Sequence, residues 1–219
     1  VAHNPRPGSI DPRAVSAARD ALRRIDQRSM AGLEQSGPLR DDTEVASKWS
    51  PITGSALENI VDARMIDHNG RELRFGELMD MPLMLCFFYS RCQNAGKCST
   101  TVSRLAFLQR TMREQGLDEK ARLLAITLEP DYDNPDRIRR FVQDRGLKLG
   151  THALSGGIRA SDHAEFLSAF EVPVGYSAGW VNTHAVLAVL IDTNTQSMRR
   201  YVSGDWFSEQ VTEDIVALK

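Results

Sequence analysis

Two apolar runs stand out along the chain, Pro82–Tyr89 (PLMLCFFY) and Ala185–Ile191. Both fall well short of the ~18–20 residues that span a bilayer, and both have the length of buried strands. Ala121–Leu128 (ARLLAITL) is a third run of this kind. Ile60–Asp67 and Arg71–Phe75 are shorter strand-like runs around His68-Asn69-Gly70, and Asn-Gly predicts a hairpin there. Met198–Val202 is expected to pair with Ala185–Asp192 through a turn over Thr193–Ser197. Between these runs the period changes. Val102, Leu105, Leu108 and Met112 form one stripe of a helix from Ser99 to about Gln115. Pro135 opens a helix that ends before Gly146, Asp162–Phe170 predicts another, and a final helix runs from about Phe207 to Leu218.

The first fifty residues read differently. Asp11-Pro12 is a helix start, and Val15, Ala18, Leu22 and Ile25 recur at helical spacing among many charges. One amphipathic helix is predicted from about Pro12 to Gln35, followed by a loop through Gly37-Pro38. Residues 1–56 are therefore read as a helical extension and linker, and 57–219 as the main domain. The plain expectation for the helix is docking on that domain; a partner-binding or membrane-proximal stalk is the sharper one. The main domain runs hairpin, β-α-β-α, an inserted helix, then β-β-α. That is an α/β order of the thioredoxin-like kind with an N-terminal β-hairpin added.

Composition bounds the partners. The 219 residues are 42% hydrophobic, enough for one sizeable domain plus an extension. Charged residues are 26% with a formal net charge of −2, and no basic stripe with interleaved aromatics accumulates, so nucleic acid is not expected. Val1–Gly8 is polar, carries two prolines and is not a signal peptide, although a start at valine is compatible with a leader or membrane anchor outside the given chain. Three cysteines are too few for a disulfide scaffold. Cys86 lies inside the central strand and reads as core; Cys92 and Cys98 are close enough to act together.

The chemistry centres on Tyr89-Ser90-Arg91-Cys92-Gln93-Asn94-Ala95-Gly96-Lys97-Cys98-Ser99, between the central strand and the next helix. In a continuous helix the two cysteine Cα atoms would stand ~9 Å apart along the axis, beyond the roughly 4.4–6.8 Å of a disulfide. Asn94-Ala95-Gly96 is therefore expected to turn the chain back and bring the sulfurs together. Cys98, at the start of the Ser99 helix with Lys97 and Arg91 nearby, is expected to have the lowered thiol pKa. Two thiolates are soft ligands that select copper(I) or zinc over magnesium or calcium. In thioredoxins a proline before the penultimate strand faces the cysteine pair. Here Trp180-Val181-Asn182-Thr183-His184 precedes that strand without a proline, and a histidine takes the place. Imidazole would complete a mixed sulfur and nitrogen site suited to copper in either oxidation state. A structural disulfide and a simple redox pair are the alternatives. Structural zinc fits less well, because no fourth ligand is evident.

Over residues 57–218 the chain resembles the Sco/SenC family, copper-binding proteins that help assemble the copper centre of cytochrome c oxidase. The resemblance is carried by the aromatic strand ending in Tyr89-Ser90-Arg91-Cys92, the second cysteine before a helix, Ala125-Ile126-Thr127-Leu128-Glu129-Pro130, and Thr183-His184 ahead of an apolar strand. It implies Cys92, Cys98 and His184 as copper ligands, and a metallochaperone that serves a client protein with a copper site. It also implies an extracytoplasmic setting such as the periplasm. A thiol-disulfide oxidoreductase, with Cys92 attacking and Cys98 resolving, is the alternative; a peroxidase lacks support, since Ser90-Arg91 does not supply the Thr and Pro expected before such a cysteine. Two features depart from the family pattern. The usual C-x3-C followed by proline is C-x5-C followed by Ser99, and the usual Asp-Pro is Glu129-Pro130.

The remaining candidates have plainer readings. His152 and His163 are expected to be solvated, His68 belongs to the hairpin turn and His3 to the terminus. Tyr176 and Trp180 are expected in a loop, as anchors or as a docking face. The acidic Glu129–Asp136 run (EPDYDNPD) is expected to be a solvated loop, with contact to the cysteine loop or attraction of a basic partner as sharper readings.

Overall fold

The computed structural model describes residues 48–177, 180–202 and 208–218. The predicted 12–35 helix lies outside them, as does His3. Among the described residues, eight strands form one sheet in the order β1-β10-β9-β4-β5-β6-β2-β3. These are β1 (Ser50–Pro51), β2 (Arg64–Asp67), β3 (Glu72–Arg74), β4 (Leu83–Phe88), β5 (Arg122–Thr127), β6 (Ala153–Ile158), β9 (Leu187–Asp192) and β10 (Ser197–Val202). A separate two-stranded sheet pairs β7 (Val174–Ser177) with β8 (Trp180–His184). The helices are α1 (Ser55–Val61), α2 (Thr100–Glu114), α3 (Pro135–Gln143), α4 (Ala160–Ala169) and α5 (Ser208–Ala217).

The centre of the sheet explains the apolar runs. β4 lies parallel to β5, β5 lies parallel to β6, and β9 runs antiparallel on the other side of β4. Strands covered on both faces need apolar residues at every position, so alternation disappears. In β4, Leu83, Leu85 and Phe87 enter one core while Met84, Cys86 and Phe88 enter the other. The first core takes in Ile60 of α1 and Phe166 of α4, and the ring of Phe75 meets Phe166 edge-on at 4.9 Å. The second takes in Val102, Leu105 and Leu108 of α2, Ile138 of α3 and Ile215 of α5.

The predicted hairpin is present as β2 and β3, but it begins later than expected. Ile60 and Val61 belong to α1, whose short helix brings Ile60 into the core. Strand β6 was not expected as a strand, nor were β7 and β8. The helix predicted from Pro135 is α3: Pro135 opens it, and the Asn134 side chain accepts from the Arg137 amide at 3.0 Å. This mixed α/β architecture, with a central parallel core and helices on both faces, is thioredoxin-like, as the element order predicted. No helix among the described residues is long and apolar enough to cross a membrane.

Candidate metal centre

The central strand β4 ends at Phe88 and delivers Tyr89-Ser90-Arg91-Cys92 to the carboxyl edge of the parallel strands, where open α/β sheets place their sites. The Cys92 amide bonds the Tyr89 carbonyl at 3.2 Å and the Lys97 amide bonds the Asn94 carbonyl at 3.0 Å, so the segment folds back on itself. The Asn94 side chain accepts from the Gly96 amide at 3.0 Å. A single wide helical turn, Ala95–Ser99, then carries Cys98 into the second core before α2 begins. The loop predicted at Asn94-Ala95-Gly96 does bring the two sulfurs together.

His184 closes the triad from the last position of β8. Its Nε2 lies 3.7 Å from the Cys92 sulfur and 3.6 Å from the Cys98 sulfur. All three donor atoms fall within 4.8 Å of one another. A first-row metal bonded to sulfur at ~2.3 Å and to imidazole at ~2.0 Å separates the two donors by roughly 3.5–3.8 Å at angles from tetrahedral to trigonal. The observed separations match, so the residues fit a soft metal ion. The other ring nitrogen, Nδ1, faces the Ala185 carbonyl at 3.1 Å. A carbonyl only accepts, so Nδ1 carries the hydrogen and the Nε2 lone pair points at the sulfurs. Burial lowers the His184 pKa and favours the neutral ring; the nearby Lys97 acts in the same direction.

The two cysteines differ sharply. Burial acts to raise the pKa of Cys92, but hydrogen bonds from the Cys98 main chain and thiol, the Asn94 main chain and the Tyr89 hydroxyl outweigh it, and the net shift is downward. Cys98 is 0% exposed. Burial drives its pKa strongly up, and the neighbouring Cys92 sulfur adds to this. The expectation that Cys98 carries the depressed pKa is therefore wrong: it sits too deep for the helix terminus to compensate, and Cys92 is the favoured thiolate. Cys86 is core, as expected, and burial pushes its thiol up to about 12.

The acidic run is solvated at Asp131, Tyr132, Asn134 and Asp136, as expected, but two of its acids turn inward. Asp133 is buried and accepts from the Ser90 amide at 3.0 Å, from the Ser90 hydroxyl, and from the Thr127 hydroxyl at 2.5 Å. Glu129 is buried too, and receives the Arg91 guanidinium through two bonds of 2.8 and 3.0 Å. Topology places them: Glu129 and Asp133 follow β5, whose parallel neighbour β4 leads into the cysteine segment, so both acids emerge at the same edge. Tyr176 and Trp180 stand on β7 and β8 rather than in a loop, at 46% and 58% exposure, and the Tyr176 hydroxyl donates to the Leu128 carbonyl at 2.9 Å. His152 and His163 are half-buried rather than solvated, and burial lowers the His163 pKa. His68 is in the turn, as expected, but buried there.

A cysteine pair and a histidine converging on the edge of a thioredoxin-like sheet define a soft-metal or redox site. The sequence model of the SCO1/SenC family matches residues 59–219, and the chain belongs to that family. Several solved structures share its fold. A SCO1/SenC family lipoprotein from Bacillus anthracis is 21% identical with a TM-score of 0.63, covering 72% of this chain and 94% of its own. BsSco, a member of the Sco family of cytochrome c oxidase assembly proteins in which a disulfide switch was identified, is 17% identical with a TM-score of 0.61, covering 72% of this chain and 92% of its own. ScoI of Bradyrhizobium japonicum, seen with copper bound, is 17% identical with a TM-score of 0.57, covering 72% and 97%. No curated protein matches the chain.

Proposed function

We propose that this protein binds copper through Cys92, Cys98 and His184 and passes it to a client protein with a copper site. One observation carries the reading: a single imidazole Nε2, unprotonated by virtue of the Ala185 bond, faces both sulfurs at 3.6 and 3.7 Å. The longer C-x5-C spacing does not prevent convergence, because the Ala95–Ser99 turn absorbs the extra length. Copper(I) or copper(II), once bound, supplies a charge and a coordination sphere into which client ligands exchange. The chain's own residues hold the donors at that spacing, leave Cys92 at the open side of a cleft of about 360 Å³ and keep Cys98 behind it. The client carries a copper centre of cytochrome c oxidase type, a reading supported by BsSco's place in a family of cytochrome c oxidase assembly proteins. The setting is extracytoplasmic, in keeping with a lipoprotein relative.

The same geometry supports a second reading, reduction of a client's disulfide. A partly exposed Cys92 with a lowered pKa in front of a buried Cys98 is an attacking and resolving pair. Cys92 thiolate would open the client disulfide to a mixed disulfide, and Cys98 would then attack Cys92 and release the second client thiol. The net change is two client thiols formed and a Cys92–Cys98 disulfide. BsSco, with its disulfide switch, gives that reading a structural relative.

An anaerobic copper titration of reduced protein separates the two. The metallochaperone reading expects one equivalent bound, and expects His184→Ala to weaken copper(II) binding sharply while the fold stays intact. Two free thiols without stoichiometric binding would leave reduction as the function, with a mixed disulfide trapped by Cys98→Ser.

A further inference from the structure

Glu129 has no part in the donor triad, yet it reaches both halves of it. Its Oε2 accepts from Arg91 Nε at 2.8 Å and its Oε1 accepts from Arg91 Nη2 at 3.0 Å. The same Oε1 accepts from the Val181 amide at 2.9 Å. Arg91 directly precedes Cys92, and Val181 lies on β8, the strand that ends in His184. One buried carboxylate therefore bridges the cysteine segment and the histidine strand.

The bridge is held on every side. The Arg91 guanidinium carbon stands 4.0 Å from the centre of the Tyr132 ring and 4.1 Å from that of Trp180, so the fork is stacked between two aromatic faces. A bidentate pair fixes orientation as well as distance, which a lysine or a single contact does not. Lys97, next to Cys98, ties the other end of the loop: its ammonium donates to the His184 carbonyl at 3.0 Å. β8 pairs with β7 in a sheet of its own rather than with the main sheet, so these ties matter to where His184 sits.

We propose that Glu129 is the positioning residue of the metal centre. Acting through Arg91 and the Val181 amide, it sets the separation of Cys92 and His184 before any metal arrives. The inference rests on the copper reading for its effect on binding, but the positioning itself is a property of the metal-free chain. Ligand-orienting partners of this kind are worth about 10–100-fold in metal affinity. Glu129→Gln keeps an oxygen for the Val181 amide but turns an amide donor toward the guanidinium, and Arg91→Lys keeps the charge while losing the fork and the stacking.

The test uses the full reduced chain and both variants. In metal-free protein, amide hydrogen exchange across Val181–His184 is expected to quicken in each variant, while β4 and β5 exchange as in the wild type. In a competition titration, each variant is expected to bind copper(II) about 10–100-fold more weakly than wild type, with a shifted thiolate-to-copper absorption band. Wild-type affinity, wild-type band position and unchanged β8 exchange in a folded variant would overturn the proposal. If Glu129→Gln does not fold, Arg91→Lys decides, since it leaves the buried carboxylate with a cation beside it. A wild-type protein that binds no copper would contradict the copper reading, and the exchange measurement would still judge the bridge.

Discussion

The two walls of the candidate metal centre are built in opposite ways. The cysteine wall is part of the core: Cys98 belongs to the same buried cluster as Phe88 and Val102, and Asp133 holds the Ser90 amide. The histidine wall is a two-stranded ribbon outside the main sheet, with Trp180 and Tyr176 facing solvent. Val181 of β8 enters the first core and Val174 of β7 packs against it, and the rest of the hold comes from individual bonds, among them Tyr176 to Leu128, Val181 to Glu129 and Lys97 to His184. Stability is not uniform across a structure, and segments with few buried apolar contacts open first. The contrast teaches that the two candidate ligand types stand on different kinds of structure: Cys98 is built into the core, whereas His184 ends a strand of the ribbon.

Removing a sulfur should have the largest effect. Cys98→Ser is expected to abolish stoichiometric copper(I) binding, as judged by anaerobic titration, because a hydroxyl is a poor soft-metal ligand. Retained binding would mean the core half-site is dispensable. Next comes thiol reactivity. Cys92, with its lowered pKa, should be alkylated with a midpoint below that of an ordinary thiol. The thiolate is the reactive form, so the rate rises with pH through the folded-state pKa and levels off above it. Cys98 and Cys86, both buried with raised pKa values, should react only after unfolding; equal rates for Cys92 and Cys98 would erase the asymmetry.

Asp133→Ala leaves the Ser90 amide, the Ser90 hydroxyl and the Thr127 hydroxyl without their buried acceptor. The expected cost is about 3 kcal/mol in urea denaturation, a global loss because the cysteine wall belongs to the core. The smallest effect is expected on the ribbon: Tyr176→Phe removes one bond to Leu128 and should cost about 1 kcal/mol at most. Its signature is faster hydrogen exchange in β7 and β8 with an unchanged global midpoint. A global shift as large as that of Asp133→Ala would show that the ribbon is no looser than the core.

The sequence carried the cysteine wall better than the histidine wall. Strands buried on both faces announce themselves as apolar runs, so β4, β5 and β9 were legible along with α2, and the cysteines could be placed between β4 and α2. β6 (ALSGGI) was not, because its glycines read as a breaker. Gly156 is required there: a Cβ would collide with the Ile66 carbonyl of the neighbouring β2 strand. The β7 and β8 ribbon was hidden by its exposed, mixed composition, which resembles a loop. Glu129 and Asp133 were hidden by their company, since buried acids in a run as polar as EPDYDNPD have no local pattern to mark them. Their role depends on β5 lying beside β4, a fact of topology. The pKa order of the cysteines likewise depends on depth, which spacing alone does not encode.

The central claim is that Cys92, Cys98 and His184 meet on one copper ion. X-ray absorption spectroscopy of the reduced protein loaded with one equivalent of copper tests it most directly. The account predicts a first shell of two sulfurs and one imidazole nitrogen, with the nitrogen lost in His184→Ala. A two-sulfur shell that is identical in wild type and His184→Ala would contradict it.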